Sequence, residues 1–93
     1  MAAQDRVALI RQRLEDALAP SLLDVVDESH EHVGHPGAAD GRGHFSVTIV
    51  ADAFSGLSLL ERHRLVYDAM GELMDTDIHA LSIQARSPAE ARG

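Results

Sequence analysis

The chain of 93 residues has no cysteine, no lysine and no tryptophan. Without thiols, structural disulfides and cysteine-only metal centres are excluded. A metal would have to be held by His, Asp or Glu, or by thiolates from another molecule. Aromatic residues are limited to Phe45, Phe54 and Tyr67, so the core must be built from Leu, Ile, Val, Ala and Met. No stretch has the roughly 18 apolar residues of a membrane span. The opening Met1-Ala2-Ala3-Gln4-Asp5-Arg6 has no apolar run like that of a secretory signal. A cytoplasmic protein with no membrane partner is therefore expected.

The charge balance is acidic. Fifteen Asp and Glu face eight cations, all of them arginine, for a formal net charge of −7. Acidity favours solubility and argues against non-specific nucleic-acid binding, which depends on neutralising phosphates. With 45% hydrophobic residues, an ordered chain forming a single domain over residues 1–93 is expected.

Residues 3–18 read as a helix, with Val7, Ile10, Leu14 and Leu18 at helical spacing. Arg11 and Glu15 can pair at i, i+4, and Pro20 stops the helix. Residues 22–28 read as a partly exposed or edge strand, with Leu23 and Val25 on one face and Leu22 and Val26 on the other. Residues 44–50 are the clearest strand, in which Phe45, Val47 and Ile49 alternate with His44, Ser46 and Thr48. Between these strands lies a long loop, 29–43, holding four of the seven glycines. A loop this long in so small a domain is usually functional or mobile.

Ser58-Leu59-Leu60-Glu61 is a capping box that starts a helix reaching about Met74. Leu59, His63, Val66, Met70 and Leu73 form its expected buried stripe, widened by Leu60, Tyr67 and Met74, with Gly71 on the polar side. Asp75-Thr76-Asp77 turns the chain into a strand over 78–84. A strand–helix–strand passage within one sheet makes its two strands parallel. Ser87-Pro88-Ala89-Glu90 starts a further helix that stays a stub in the tail 87–93. The expected fold is α+β, in the order α-β-β-α-β, with helices on one face of a small mixed three-stranded sheet.

The histidines carry the chemistry. His30, His32 and His35 crowd the long loop, and neutral imidazole binds zinc, copper, nickel or iron. The same tract also reads as a solvated polar loop. Strand alternation places His79 on the face of Leu81 and Ile83, half sheltered at the strand's mouth. There it is either a ligand or a packed histidine bonded to backbone. His63 reads as a satisfied core histidine and His44 as solvated. Arg62, Arg64 and Arg86, with Arg42, form a candidate basic surface or are ordinary solvated arginines. No P-loop, dinucleotide-binding glycine run, Gly-x-Ser-x-Gly or His-Glu-x-x-His occurs, and no nucleophile with an arranged base is visible. A non-enzyme is expected.

Several segments together resemble the BolA family. They are Asp27-Glu28-Ser29 followed by His32, His44-Phe45-Ser46-Val47, Phe54-Ser55-Gly56-Leu57-Ser58, Arg62-His63-Arg64-Leu65-Val66-Tyr67 and Ile78-His79-Ala80-Leu81-Ser82-Ile83. The resemblance covers residues 25–88. It implies a fold like the class II KH domain and partnership with monothiol glutaredoxins. In such heterodimers a [2Fe–2S] cluster is shared between the glutaredoxin cysteine and a glutathione thiol on one side and BolA-type histidines on the other. The resemblance places one ligand on His79 and the second on His32, with His35 and His30 as competitors in a loop that is longer than usual. It also implies, as the runner-up, DNA binding through Arg62, Arg64 and Arg86. The Gly-x-x-Gly loop with which KH domains grip nucleotides is missing. Metal buffering by the loop histidines is a third reading. The free chain is expected to be a monomer or a weak homodimer.

Overall fold

The structure, a computed structural model, describes residues 3–28 and 43–92. His30, His32 and His35, on the expected loop, lie outside the described residues. The elements in order are α1 (Ala3–Leu18), β1 (Leu22–Asp27), β2 (Gly43–Val50), a 3-10 turn (Asp52–Phe54), α2 (Leu59–Met70), α3 (Leu73–Thr76), β3 (Ile78–Arg86) and α4 (Pro88–Arg92).

The sheet runs β1-β2-β3, with β1 antiparallel and β3 parallel to β2. Both outer strands are edges, as the acidic interruptions of β1 suggest. Val25, Phe45, Val47, Ile49, Leu81 and Ala85 line the inner face and meet Ile10 and Leu14 of α1 and Val66 and Met70 of α2. Phe54, on the turn between β2 and α2, is fully buried in the same cluster. Helices α1 and α2 also pack on each other, so both cover one face of the sheet.

One helix ends where expected and the other earlier. Ala19, before Pro20, takes a φ of 45° and closes α1 through a bond from its N–H to the Glu15 carbonyl. Helix α2 stops at Met70 because Gly71 takes φ 55° and ψ −129°, backbone that suits glycine alone. The chain resumes as the short α3. Arg13 of α1 secures this break, donating to the Met70 carbonyl at 3.3 Å and to Glu72 Oε1 at 2.8 Å.

The buried stripe of α2 is also rotated from the one expected. The capping box forms as anticipated, with Ser58 Oγ accepting from Glu61 N and Glu61 Oε1 accepting from Ser58 N. The inward side chains, however, are Arg62, Val66 and Met70. Leu59, Leu60 and Tyr67 are exposed, and His63 is half-buried rather than a core residue.

The physical reason is Arg62, only 7% exposed. Its Nε donates to the Leu57 carbonyl at 3.0 Å and its Nη1 to the Ala85 carbonyl at 3.1 Å. The same Nη1 lies 2.6 Å from Glu90 Oε1. Arg86 sends its carbonyl inward to Ala51 N, so Ala85, one residue earlier, sends its own outward from the sheet. Arg62 therefore covers a carbonyl on the free edge of β3. A guanidinium fork can meet three acceptors at once, which an ammonium would do less well.

Candidate metal centre on the outer face of the sheet

The outer face alternates with the core positions. It carries Leu22, Asp24 and Val26 from β1, His44, Ser46 and Thr48 from β2, and Ala80, Ser82 and Gln84 from β3. His79 joins them through an irregularity in the pairing. Gly43 is opposite Ile78 and His44 opposite Ala80, so His79 is one extra residue in β3. Such a bulge breaks the two-residue alternation. Ile78 and Leu81 are thus both buried although three positions apart, and His79 is exposed. This corrects the expectation that His79 shares a face with Leu81 and Ile83.

The bulge carries His79 to His44. Their ring centroids are 5.0 Å apart with 52° between the ring planes. His44 is half-buried rather than solvated, and its carbonyl accepts from Glu28 N at 2.8 Å, beyond the end of β1. On the other side, Gly43 N donates to the Asp77 carbonyl at 2.9 Å. Asp77 is itself held by Arg6 Nε of α1 at 3.4 Å and by Thr76 Oγ1 at 2.9 Å. The approach to the bulge is therefore tied to both its sheet neighbour and the first helix.

Two imidazoles in this relation suit a borderline metal such as iron. Neutral imidazole is a good donor, and paired histidines on one iron are an established way to complete a [2Fe–2S] centre whose other iron keeps sulfur ligands. Among the described residues no group of three or more His, Asp or Glu is arranged to hold a metal ion.

Of the expected basic surface, Arg42 lies outside the described residues. Arg62 is buried and committed to Leu57, Ala85 and Glu90, whereas Arg64 and Arg86 are exposed. The region around Arg62 is a cleft of about 400 Å³ between α2, β3 and α4, with Leu59, His63 and Ile83 in its walls. At about 3.3 Å of rise per residue, Ala85 is roughly 20 Å along β3 from His79. The cleft and the histidine pair are separate places.

Sequence reasoning missed two residues here. The clean alternation of β2 places His44 towards solvent, and only the bulge in another strand brings His79 to it. Ser87-Pro88-Ala89-Glu90, expected as a helix start, is a second capping box that also presents Glu90 to Arg62. Glu90 Oε1 accepts from Ser87 N at 2.7 Å and Ser87 Oγ accepts from Glu90 N at 3.3 Å. Hydrogen bonds from Arg62 first, and then from Ser87, lower the Glu90 carboxyl to a pKa of about 2.

A mixed three-stranded sheet with two helices on one face and paired histidines on the other defines a small α+β domain. The family model described as BolA-like protein matches residues 14–90, and the chain belongs to that family. It is 47% identical over 85 residues to the human BolA-like protein 1, covering 91% of this chain and 60% of that protein. It is 37% identical over 89 residues to the Escherichia coli DNA-binding transcriptional regulator BolA, covering 91% of this chain and 82% of that protein. The solved BolA domain of SufE1 from Arabidopsis thaliana superposes with a TM-score of 0.82 at 43% identity, covering 97% of this chain and 98% of that one. The chain spans 23% of the Arabidopsis thaliana SufE-like protein 1, a chloroplastic/mitochondrial protein that it matches at 49% identity over 87% of its own length. No helix among the described residues is long and apolar enough to cross a membrane.

Proposed function

We propose that this BolA-like protein is a non-enzymatic iron–sulfur partner. It forms a heterodimer with a monothiol glutaredoxin and completes the coordination of a shared [2Fe–2S] cluster through histidine. The observation that carries the reading is His79, exposed on a bulge and set beside a second imidazole. A chain without cysteine cannot hold such a cluster in the Cys₄ manner. In this reading the glutaredoxin cysteine and a glutathione thiol supply the sulfur ligands, and His79 supplies one nitrogen. A cytoplasmic location and a role in cluster trafficking or iron and redox regulation belong to the same proposal.

The test is size-exclusion chromatography of the protein with a monothiol glutaredoxin after anaerobic reconstitution, with and without glutathione. Cluster-bearing co-elution that needs glutathione and is lost in His79→Ala is expected. Co-elution with an intact cluster in His79→Ala contradicts the ligand role.

DNA binding has one observation in its favour, the name of the E. coli relative. With Arg62 internal, that reading rests on Arg64 and Arg86 in a chain of net charge −7. It predicts salt-sensitive binding that Arg64→Ala weakens.

A further inference from the structure

We propose that the outer edge of β3, with the cleft beside it, docks an extended acidic segment of a partner protein, which adds to the sheet as a fourth strand. The proposal is independent of the cluster-sharing reading and of the histidine pair.

The strand order β1-β2-β3 leaves one long edge of β3 without a neighbouring strand. The Arg86 carbonyl turns towards β2, where it accepts from Ala51 N. Leu81, Ile83 and Ala85 therefore turn their N–H and carbonyl groups the other way. Arg62 meets the Ala85 carbonyl at 3.1 Å. Among the described residues, no backbone hydrogen bond covers Leu81 or Ile83 on that side. A row of unpaired groups like this is a template for another chain. The opposite edge of the sheet is guarded. There Asp24 and Asp27 interrupt β1, and Arg11 donates to the Leu23 carbonyl at 3.1 Å. Charged side chains on an edge strand oppose pairing with a further strand. β3 carries no acidic residue.

The cleft of about 400 Å³ lies along this edge, with Leu59 and Ile83 in its walls. Leu59 is 68% exposed although it is apolar, and Ile83 is half-buried. A strand laid on the edge sends alternate side chains to the helix-bearing side, where the cleft receives an apolar one. Ladder bonds combined with a pocket for alternate side chains are how a sheet edge selects an extended segment.

Charge fixes the kind of segment. Around the cleft, Arg62 and Glu90 are paired with each other, which leaves Arg86. Arg86 is exposed and makes no ion pair among the described residues. A carboxylate on the incoming strand meets it as an opposite charge, and a basic strand meets it as a like charge.

The test follows the amides of the isotope-labelled protein by NMR during titration with three peptides. One alternates valine with aspartate, the second alternates valine with arginine, and the third is the aspartate peptide N-methylated at every residue. The aspartate peptide is expected to shift the Leu81 and Ile83 amides and to slow their exchange with water. The arginine peptide and the N-methylated peptide, which has no N–H donors, are expected to do neither. Leu59→Ser and Arg86→Glu, both at exposed positions, are expected to weaken the effect. No shift at about 1 mM aspartate peptide, the weak end of specific binding, would overturn the proposal. So would equal binding of the N-methylated or the arginine peptide. Shifts of the same amides by a single-stranded oligonucleotide but not by the aspartate peptide would assign the edge to nucleic acid instead. Shifts that grow with protein concentration alone would assign it to a second copy of the chain. None of these outcomes bears on cluster sharing.

Discussion

Arg62 Nη1 lies 2.6 Å from Glu90 Oε1 while also donating to the Ala85 carbonyl, so one guanidinium joins α2, the edge of β3 and α4. Replacing it uncovers the carbonyls of Leu57 and Ala85 beside the cleft between α2, β3 and α4. Leaving such acceptors unmet costs about 1–3 kcal/mol each. Arg62→Ala is expected to lower unfolding stability by about 3 kcal/mol, read as a shift of the urea midpoint at constant slope. Arg62→Lys, with one point charge in place of a fork, is expected to recover only part of it.

The same pair makes stability depend on acidity. The Glu90 carboxyl falls from 4.5 to about 2 in the folded protein, first because of Arg62. A depressed carboxyl stabilises the folded state above its unfolded value and ceases to do so as it protonates. The contribution is therefore complete above about pH 4.5 and is lost as the pH falls through about 2. Glu72 is lowered by Arg13, and Glu61 by the backbone and hydroxyl of Ser58, so both act in the same direction. Urea midpoints measured between pH 6 and pH 2 should fall more steeply for the wild type than for Glu90→Gln.

Backbone conformation separates two positions of similar size. Gly71, at φ 55° and ψ −129°, has Arg13 Nη1 only 3.3 Å from where a Cβ would stand. Gly71→Ala is expected to destabilise by about 1–2 kcal/mol. Ala19, at φ 45°, carries the strain already. Ala19→Gly is expected to be neutral or stabilising by up to about 1 kcal/mol, because glycine takes this left-handed backbone just past a helix end without strain. Thermal melts of the two variants against the wild type check the opposite signs.

Much of this architecture could be read from the chain. The alternation of Phe45, Val47 and Ile49, the Ser58–Glu61 box and the break at Pro20 are local signals, and each sits where the sequence puts it. The features that local signals do not carry are tertiary. Leu59, Leu60 and Tyr67 looked like a buried stripe because they are apolar, yet α2 turns Arg62 inward to meet carbonyls from elsewhere in the fold. Gly71 looked tolerable within a helix because Leu73 and Met74 continue the apolar pattern beyond it. The bulge at His79 arises from pairing with Gly43 and His44, and no residue within β3 announces it. Resemblance to a family pointed to His79, whereas its neighbour emerged only from the register.

The most direct measurement of the central claim is visible circular dichroism of the cluster reconstituted anaerobically from this protein, a monothiol glutaredoxin and glutathione. Replacing one sulfur-ligated end of the glutaredoxin homodimer's cluster by imidazole changes the charge-transfer bands. A spectrum distinct from that of the glutaredoxin homodimer, reverting towards it in His79→Ala, is the expected result. A homodimer spectrum unchanged by adding this protein would contradict shared ligation for that pairing.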